Sequence, residues 1–389
     1  MVILLKNGYY VTAEAVTRGH PDKICDQIAD AILDAYMKED PHAHVAIEVA
    51  VHYAGVIVMG EVDSSAKIDM ETIVRKTIVD IGYDRDELGF NGYHCPIQFF
   101  VHQQSSDILL GLNQDDLGAG DQGIMYGFST NETKERLPLA FVLAHRLTQK
   151  LENLREDKIL PFLRPDGKAQ VSLFYQDNKP IEATSIIIAC QHDEEISTEE
   201  LRKIIEKEVV REVIPAYLIT EKTEILINAT GRFVLGGPIA DSGLTGRKLM
   251  VDTYGCSSHH GGGSFSGKDC TKVDRTASYY ARYVANHIVK SGLADKIEVQ
   301  VSYAIGKALP TSINIDTFGT NHISEEKIKN IVMTCFDFRP SSMIQELQLE
   351  KPIYLATSQH GHFGNPKFPW EKLSKLESVN SLTSRRIKT

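Results

Sequence analysis

The densest group of side chains that could do chemistry lies in a glycine-rich run over residues 259–275, HHGGGSFSGKDCTKVDR. Its glycines allow backbone N–H groups to approach an anion closely, and Lys268 and Lys272 add positive charge where the pattern predicts a helix start. Asp269 and Asp274 would repel phosphate by about 4 kcal/mol at roughly 4 Å and an effective dielectric near 20. A divalent metal between acid and anion removes that conflict, so the run predicts a polyphosphate site.

Two common nucleotide-binding motifs are incomplete here. Residues 262–268 fit the first seven positions of G-x-x-x-x-G-K, but Asp269 replaces the required Ser or Thr and no hydrophobic strand immediately precedes them. Residues 118–123, GAGDQG, fit G-x-G-x-x-G, yet they follow a polar run and no helix obviously opens from them. The sequence therefore argues against a P-loop NTPase fold and a Rossmann fingerprint.

Residues 19–23, GHPDK, precede the first predicted helix. Pro and Asp are common at helix starts for structural reasons alone, so a simple capped helix is the alternative interpretation. His20 and Lys23 place a titratable donor and a cation beside Asp22, which could ligate a metal. This combination favours a functional role.

Three further runs are weaker signals. Residues 163–168, LRPDGK, read by themselves as a turn. In the GRF run at 231–233, Phe233 could stack on a purine. Arg247 and Lys248 follow two glycines, and a planar fork beside a point charge could share one polyphosphate, although such a pair is often only surface. His145, His192, His287 and His322 are assigned no function.

The elements that must position these side chains repeat three times in the order helix, strand, strand, helix. The predicted ranges are 22–38, 45–51, 56–62 and 69–81; 135–150, 170–175, 183–189 and 198–210; and 273–289, 297–305, 312–318 and 325–336. This period predicts an α/β fold made of three similar domains, each a β-sheet covered on one face by helices. We place them at 1–107, 116–236 and 237–373, followed by a tail at 374–389.

One-sided sheets leave three bare faces. These must meet each other or another subunit, so we expect a homo-oligomer with a large apolar interface. The glycine- and acid-rich connections between the copies are where functional residues often lie.

Composition narrows the class of protein. With 389 residues and 42% apolar content, the chain can bury a large core. A net charge of -10 argues against nucleic-acid and membrane-surface partners. The six cysteines form no C-x-x-C pair, and we find neither a signal segment nor an apolar run of spanning length. We therefore expect a cytoplasmic protein without a membrane partner.

Taken together, GHPDK, GAGDQG, TGRF at 230–233, GLTGRK at 243–248 and GGGSFSGKD at 261–269 resemble the S-adenosylmethionine synthetase family over about residues 12–372. The resemblance implies three intertwined domains with pseudo-threefold symmetry and a homotetramer, a dimer of dimers, with active sites at the dimer interface. It also implies attack of the methionine sulfur on C5′ of ATP, displacement of triphosphate, and its hydrolysis to pyrophosphate and phosphate. A thioether has no proton to lose, so no general base is needed.

The resemblance also implies roles for individual residues. The expected catalytic residues are His20, Lys168, Arg247 and Lys268. The expected ATP-binding residues are those four together with Asp166, Arg232, Phe233, Asp241, Lys248 and Ser264. The expected methionine-binding residues are Glu61, Gln104, Asp121, Asp241 and Lys272. Asp22 and Asp274 are expected to hold two Mg²⁺ ions and Glu48 a K⁺ ion, while residues 104–112 correspond to a mobile gate.

The chain departs from the family pattern at three places. Arg18 is expected to add a cation near the phosphates, residues 256–258 (CSS) replace the usual stretch before HGGG, and Leu109-Leu110 makes the gate more apolar. Two rival functions remain. A kinase or ligase would release ADP or AMP, and a catalytically dead regulator would have lost His20, Lys168 or Asp22, all of which are present.

Overall fold

The computed structural model describes residues 8–103 and 117–384. Its strands are β1 Tyr9–Val16, β2 His44–His52, β3 Gly55–Asp63, β4 Ile97–Gln103, β5 Gly123–Thr130, β6 Leu163–Gln176, β7 Lys179–His192, β8 Glu224–Ile227, β9 Gly243–Leu244, β10 Lys296–Tyr303 and β11 Ser312–Asp316. Its α-helices are α1 Pro21–Glu39, α2 Met70–Ile81, α3 Leu139–Glu156, α4 Thr198–Ile205, α5 Arg211–Val213, α6 Leu249–Asp252, α7 Val273–Lys290, α8 Glu325–Cys335, α9 Pro340–Leu347 and α10 Leu376–Ser384.

The three predicted helix–strand–strand–helix units are confirmed, with shifted ends. The helix predicted at 135–150 begins only at Leu139, because Pro138 adopts an extended conformation and caps it. Strands β6 and β7 are each 14 residues long, longer than the apolar pattern predicted. A π-helical segment, Glu206–Val210, separates α4 from α5 where one continuous helix was expected.

The three sheets are built on one plan and exchange strands. Each sheet contains one antiparallel pair of consecutive strands, β2-β3, β6-β7 or β10-β11. Beside the first strand of each hairpin lies an antiparallel strand from elsewhere in the chain: β9 beside β2, β1 beside β6, and β5 beside β10. Strands β4 and β8 extend two of the sheets in parallel on the other side. The fold is therefore three intertwined α/β units.

Each sheet packs helices on one face. In the first sheet, Val45, Ile47, Val49 and Val51 alternate along β2 and are buried, and α1 packs against this strand. The opposite face carries exposed apolar side chains on β3, β4 and β9, namely Met59, Phe100 and Leu244. This arrangement matches the predicted one-sided sheets.

Helices α1 and α7 lie deep in the protein. Nearly all of α7 is buried, and its Arg275 and Arg282 are fully enclosed. Within residues 8–103 and 117–384, no helix combines the length and the apolar content needed to cross a bilayer.

Candidate active site

The start of α1 carries the first part of the site. His20 caps the helix, and its Nδ1 accepts a hydrogen bond of 3.2 Å from the Asp22 backbone N–H. Pro21 occupies the first turn, where its missing N–H costs nothing. Burial and the nearby Lys248 cation lower the pKa of His20 to about 4, so the imidazole is neutral at pH 7.

Asp22 joins this helix start to the loop that follows β9. Its carboxylate is 2% exposed and accepts hydrogen bonds from the Leu244 N–H at 3.0 Å and from Lys248 Nζ at 2.7 Å. Arg247 Nε lies 3.6 Å from the same carboxylate, and its guanidinium is half exposed. The cations Arg247 and Lys248 therefore meet the predicted metal ligand, as expected for one shared site.

Carboxylates on one face of α1 accept hydrogen bonds from the glycine-rich loops. Asp26 accepts the Gly246 N–H at 2.9 Å, and Asp30 accepts the Gly267 N–H at 2.8 Å. With Asp22 they stand four residues apart on one helical face. Asp26 and Asp30 were not predicted from the sequence, although acids at four-residue spacing in a predicted helix indicate one shared face.

The second part of the site lies at the start of α7. Lys268 Nζ donates to Asp274 at 2.6 Å, and Lys272 Nζ donates to the buried Asp269 at 2.6 Å. A Cβ added to Gly263 would lie 2.3 Å from Asp274 Cγ, so the glycine-rich turn wraps tightly around this carboxylate.

The two parts touch. A Cβ on Gly246 would lie 2.4 Å from Ser264 Cβ, so the loop with Arg247 and Lys248 packs on the loop that leads to Lys268. The Thr245 hydroxyl accepts the Val49 N–H of β2 at 2.7 Å. Burial raises the pKa of the adjacent Glu48 carboxyl, and the positive charge of Lys268 opposes that rise. The predicted phosphate and metal ligands are thus one contiguous cluster.

Strand β6 contributes Asp166 and Lys168. Burial raises the pKa of Asp166 to about 6, and its carboxylate accepts the Gly237 N–H at 2.8 Å. Lys168 Nζ lies 3.0 Å from Glu14 on the neighbouring β1, and its charge helps to lower the pKa of His20. Asp241 also acts electrostatically on His20 and lies at this edge of the site.

The remaining predicted site residues lie further out. Arg232 pairs with Glu194 at 2.5 Å, Glu61 lies 3.6 Å from His102, and Asp121 caps the N–H of Gln122. Within the described part of the chain, no hydrogen bond or ion pair joins these three to Asp22 or Asp274. The Phe233 backbone is held by His192, and its ring packs near Gly236. Gln104, Leu109-Leu110 and the predicted gate at 104–112 lie outside the described residues.

Arg18 is bound within the protein. Its guanidinium contacts Gln27 at 3.1 Å and Glu156 at 3.3 Å, and its backbone N–H donates to Glu152. The side chain is 17% exposed and bound to α1 and α3, and a role near the phosphates stays a prediction.

The carboxylates of the site can be compared with the ligands that Mg²⁺ usually takes in proteins. No group of three His, Cys, Asp or Glu side chains within residues 8–103 and 117–384 is arranged to hold a metal alone. Mg²⁺ commonly binds through one or two carboxylates and completes its shell with substrate phosphates and water. Asp22 and Asp274 each offer one hard carboxylate inside a cationic cluster, which fits a metal that arrives with a polyphosphate.

Three family models match consecutive parts of the chain: the N-terminal domain of S-adenosylmethionine synthetase over residues 8–106, the central domain over 116–233, and the C-terminal domain over 235–372. The chain is 50% identical to the S-adenosylmethionine synthase of Pseudothermotoga lettingae, covering 95% of this chain and 97% of the relative. It is 50% identical to the S-adenosylmethionine synthase of Petrotoga mobilis and 48% identical to that of Clostridium tetani, with 95% of this chain and 98% of each relative covered. Together with the contiguous cluster of loops, these matches show that the chain belongs to the S-adenosylmethionine synthetase family.

Proposed function

We propose that this protein makes S-adenosylmethionine by attack of the methionine sulfur on C5′ of ATP, with release of the whole triphosphate and its hydrolysis to pyrophosphate and phosphate. Its membership in the family makes it a methionine adenosyltransferase. The order of these steps and the residues that carry them are our proposal.

One observation supports this reaction sequence. Lys248 is paired with Asp22 and Lys268 with Asp274, so each proposed metal-binding carboxylate is held by a cation proposed to grip phosphate. A bound triphosphate offers stronger partners to both lysines, because its oxygens carry roughly four negative charges. The exchange frees both carboxylates.

The departing triphosphate is then stabilised by fixed charges. Arg247 and Lys268 supply cations from two loops, and Lys168 supplies a third from β6. Stabilisation of developing charge is usually the largest catalytic contribution. The neutral His20 can donate a hydrogen bond to the bridging oxygen as the C5′–O bond breaks, and Arg247 also serves cleavage of the triphosphate.

When bound, two magnesium ions at Asp22 and Asp274 supply further positive charge to the phosphate oxygens. We propose that Glu48 is a K⁺ ligand, since its carboxylate lies within electrostatic reach of Lys268. Asp166, Arg232, Phe233, Asp241, Lys248 and Ser264 are proposed to complete the ATP site.

The methionine site is proposed to form between subunits. Glu61 lies on the bare face of the first sheet, together with the exposed Met59 and Phe100. A second copy that covers this face would bring further residues to Glu61. This supports a tight dimer, and we propose that two such dimers form the tetramer. The other proposed methionine ligands are Gln104, Asp121, Asp241 and Lys272.

We propose that the protein is located in the cytoplasm.

The proposal is tested by incubating the protein with ATP, methionine, Mg²⁺ and K⁺ and following the products by mass detection and phosphorus NMR. We expect the sulfonium product with equal amounts of pyrophosphate and orthophosphate. Chelation of Mg²⁺ and the Asp22→Asn variant should each abolish product formation. Accumulation of ADP or AMP would instead support the kinase or ligase alternative.

A further inference from the structure

A cavity of about 710 Å³ lies between α3 and the segment 348–372, and none of its lining residues belongs to the candidate active site. Ligand pockets in proteins typically span about 300–1,000 Å³. The cavity therefore has room for a small organic molecule.

The cavity combines apolar walls with mostly positive charges. Its walls include Phe141, Val142, Ile353, Phe363 and Phe368. Its charged side chains are four cations and one acid: Arg146, Lys351, Lys367, Lys372 and Glu135. Such a cavity suits an apolar body that carries a negative charge.

Most of this positive charge is not neutralised by the residues that the structure describes. Arg146 pairs with Glu135 at 2.8 Å, and Lys351 Nζ donates to the neutral Gln348 at 2.7 Å. Neither Lys367 nor Lys372 has a side-chain partner within residues 8–103 and 117–384. Both lysines can turn toward a ligand without breaking an ion pair.

Buried polar atoms at the cavity also lack partners. His360 Nδ1 and Glu135 Oε2 are both buried, and neither has a hydrogen-bond partner in the described part of the chain. Both residues line the cavity. An unpaired buried polar atom costs about 1–3 kcal/mol, and a ligand that bonds His360 Nδ1 recovers part of that cost. The Glu135 oxygen only accepts hydrogen bonds, so it does not contribute to binding an anion.

We propose that this cavity binds a small organic anion, an apolar body carrying a carboxylate, sulfonate or phosphate group, and that its occupancy is transmitted to the His20 segment through Glu152. The apolar body lies against the phenylalanines, and the anionic group is bound by Lys367 and Lys372 beside His360.

Glu152 provides the link. Its Oε2 lies 3.3 Å from His360 Nε2, and its Oε1 accepts the backbone N–H of Arg18. Arg18 stands two residues before His20, which caps α1 at the active site. A ligand that turns His360 therefore acts on the Glu152 carboxyl group, which holds the chain leading to His20.

The chain offers a built-in reporter. Trp370 is its single tryptophan, and its ring packs on that of Phe368 in the cavity wall at a centroid distance of 5.2 Å. The probe is 8-anilinonaphthalene-1-sulfonate, an aromatic sulfonate, titrated into the full-length protein with excitation at the tryptophan band. We expect saturable probe emission by energy transfer from Trp370.

Two variants test the site. The double charge reversal Lys367→Glu/Lys372→Glu should weaken binding roughly tenfold, with Lys203→Glu/Lys222→Glu at two exposed positions as the matched control. Val142→Phe should narrow the cavity and weaken saturable binding without adding a second tryptophan, while circular dichroism shows a folded protein. Equal probe affinity in the charge-reversed variant and the control would overturn the proposed site, whatever Val142→Phe does.

The link is tested with the enzyme reaction and so rests on the proposed function. Saturating probe should change the KM for ATP about fivefold in the wild type, and Glu152→Ala, which removes both contacts of the side chain, should remove that change while the probe still binds. An unchanged KM in the wild type would overturn the link. Absence of any S-adenosylmethionine would contradict the proposed function instead and would leave the fluorescence result standing.

Discussion

Asp30 and Arg275 form a two-pronged ion pair in the interior: Nη1 lies 2.7 Å from Oδ1 and Nη2 lies 2.8 Å from Oδ2, with both side chains fully buried. Asp30 also accepts the Gly267 N–H, so the pair ties α1 and α7 to the turn before Lys268. The Arg275 guanidinium further lies 4.1 Å over the Tyr354 ring. The phosphate-binding turn is therefore anchored in the core.

Asp30→Ala should lower the free energy of unfolding by about 3–5 kcal/mol, because it leaves a buried guanidinium without its partner. Urea denaturation measures this loss. The matched control is Glu206→Gln, which removes the exposed partner of Arg211 and should cost less than about 1 kcal/mol. Equal losses in the two variants would contradict the anchoring role of Asp30.

His20→Ala should depress formation of S-adenosylmethionine by about 100-fold or more and affect hydrolysis of added tripolyphosphate much less. Only the first step breaks the C5′–O bond. Both rates can be followed by phosphate release and mass detection, with His94→Ala on the exposed surface as the control. Equal losses in both steps would refute the proposed role of His20.

Gly263→Ala should abolish S-adenosylmethionine formation, because the new Cβ would overlap the Asp274 carboxylate and push it away from Lys268. The control is Gly262→Ala in the same turn. At Gly262 the φ of +93° strains any side chain, but nothing lies within 4 Å of the added Cβ. We expect Gly262→Ala to keep measurable activity, and comparable activity in both variants would exclude steric displacement of Asp274.

Glu152 should give the protein a distinct pH dependence. Burial raises the pKa of this carboxyl from 4.5 to about 8, so between these values the native state holds a proton that the unfolded state has lost. Its contribution to stability is complete below pH 4.5 and disappears as the pH rises through 8, with a slope of at most about 1.4 kcal/mol per pH unit.

Glu152→Gln should remove that slope. Urea denaturation of the wild type and the variant at pH 5, 6.5 and 8 measures it, and the variant should gain stability relative to the wild type as the pH rises. Comparison at each pH removes the effect of other buried groups such as His145 and His360. A constant difference across the three pH values would show that Glu152 is ionised throughout.

Periodicity in the sequence predicted the helices that dominate the core. Apolar residues recur along α1 and α7 at helical spacing, so both helices were predicted close to their observed bounds. Strands β1, β4 and β5 were not predicted, because each pairs with a partner that is distant in sequence. Such tertiary pairing leaves only a weak local signal.

The site could be predicted only in part. Residue types identified the cations Lys248 and Lys268 and the acids Asp22 and Asp274, but not which cation binds which acid. The partners of the Arg18 side chain were not predicted, since Gln27 and Glu156 come from two different helices. Local sequence cannot give contacts that depend on how helices pack.

The exchange of strands among the three sheets bears on how this chain can be made and dissected. The first sheet is completed only when residues 243–244 have been synthesised, long after the ribosome has released β2 and β3. A fragment cut at one boundary between two domains lacks a strand that the neighbouring domain supplies. Chimeras that exchange one domain at such a boundary should therefore misfold. Circular permutants that keep every sheet intact should still fold.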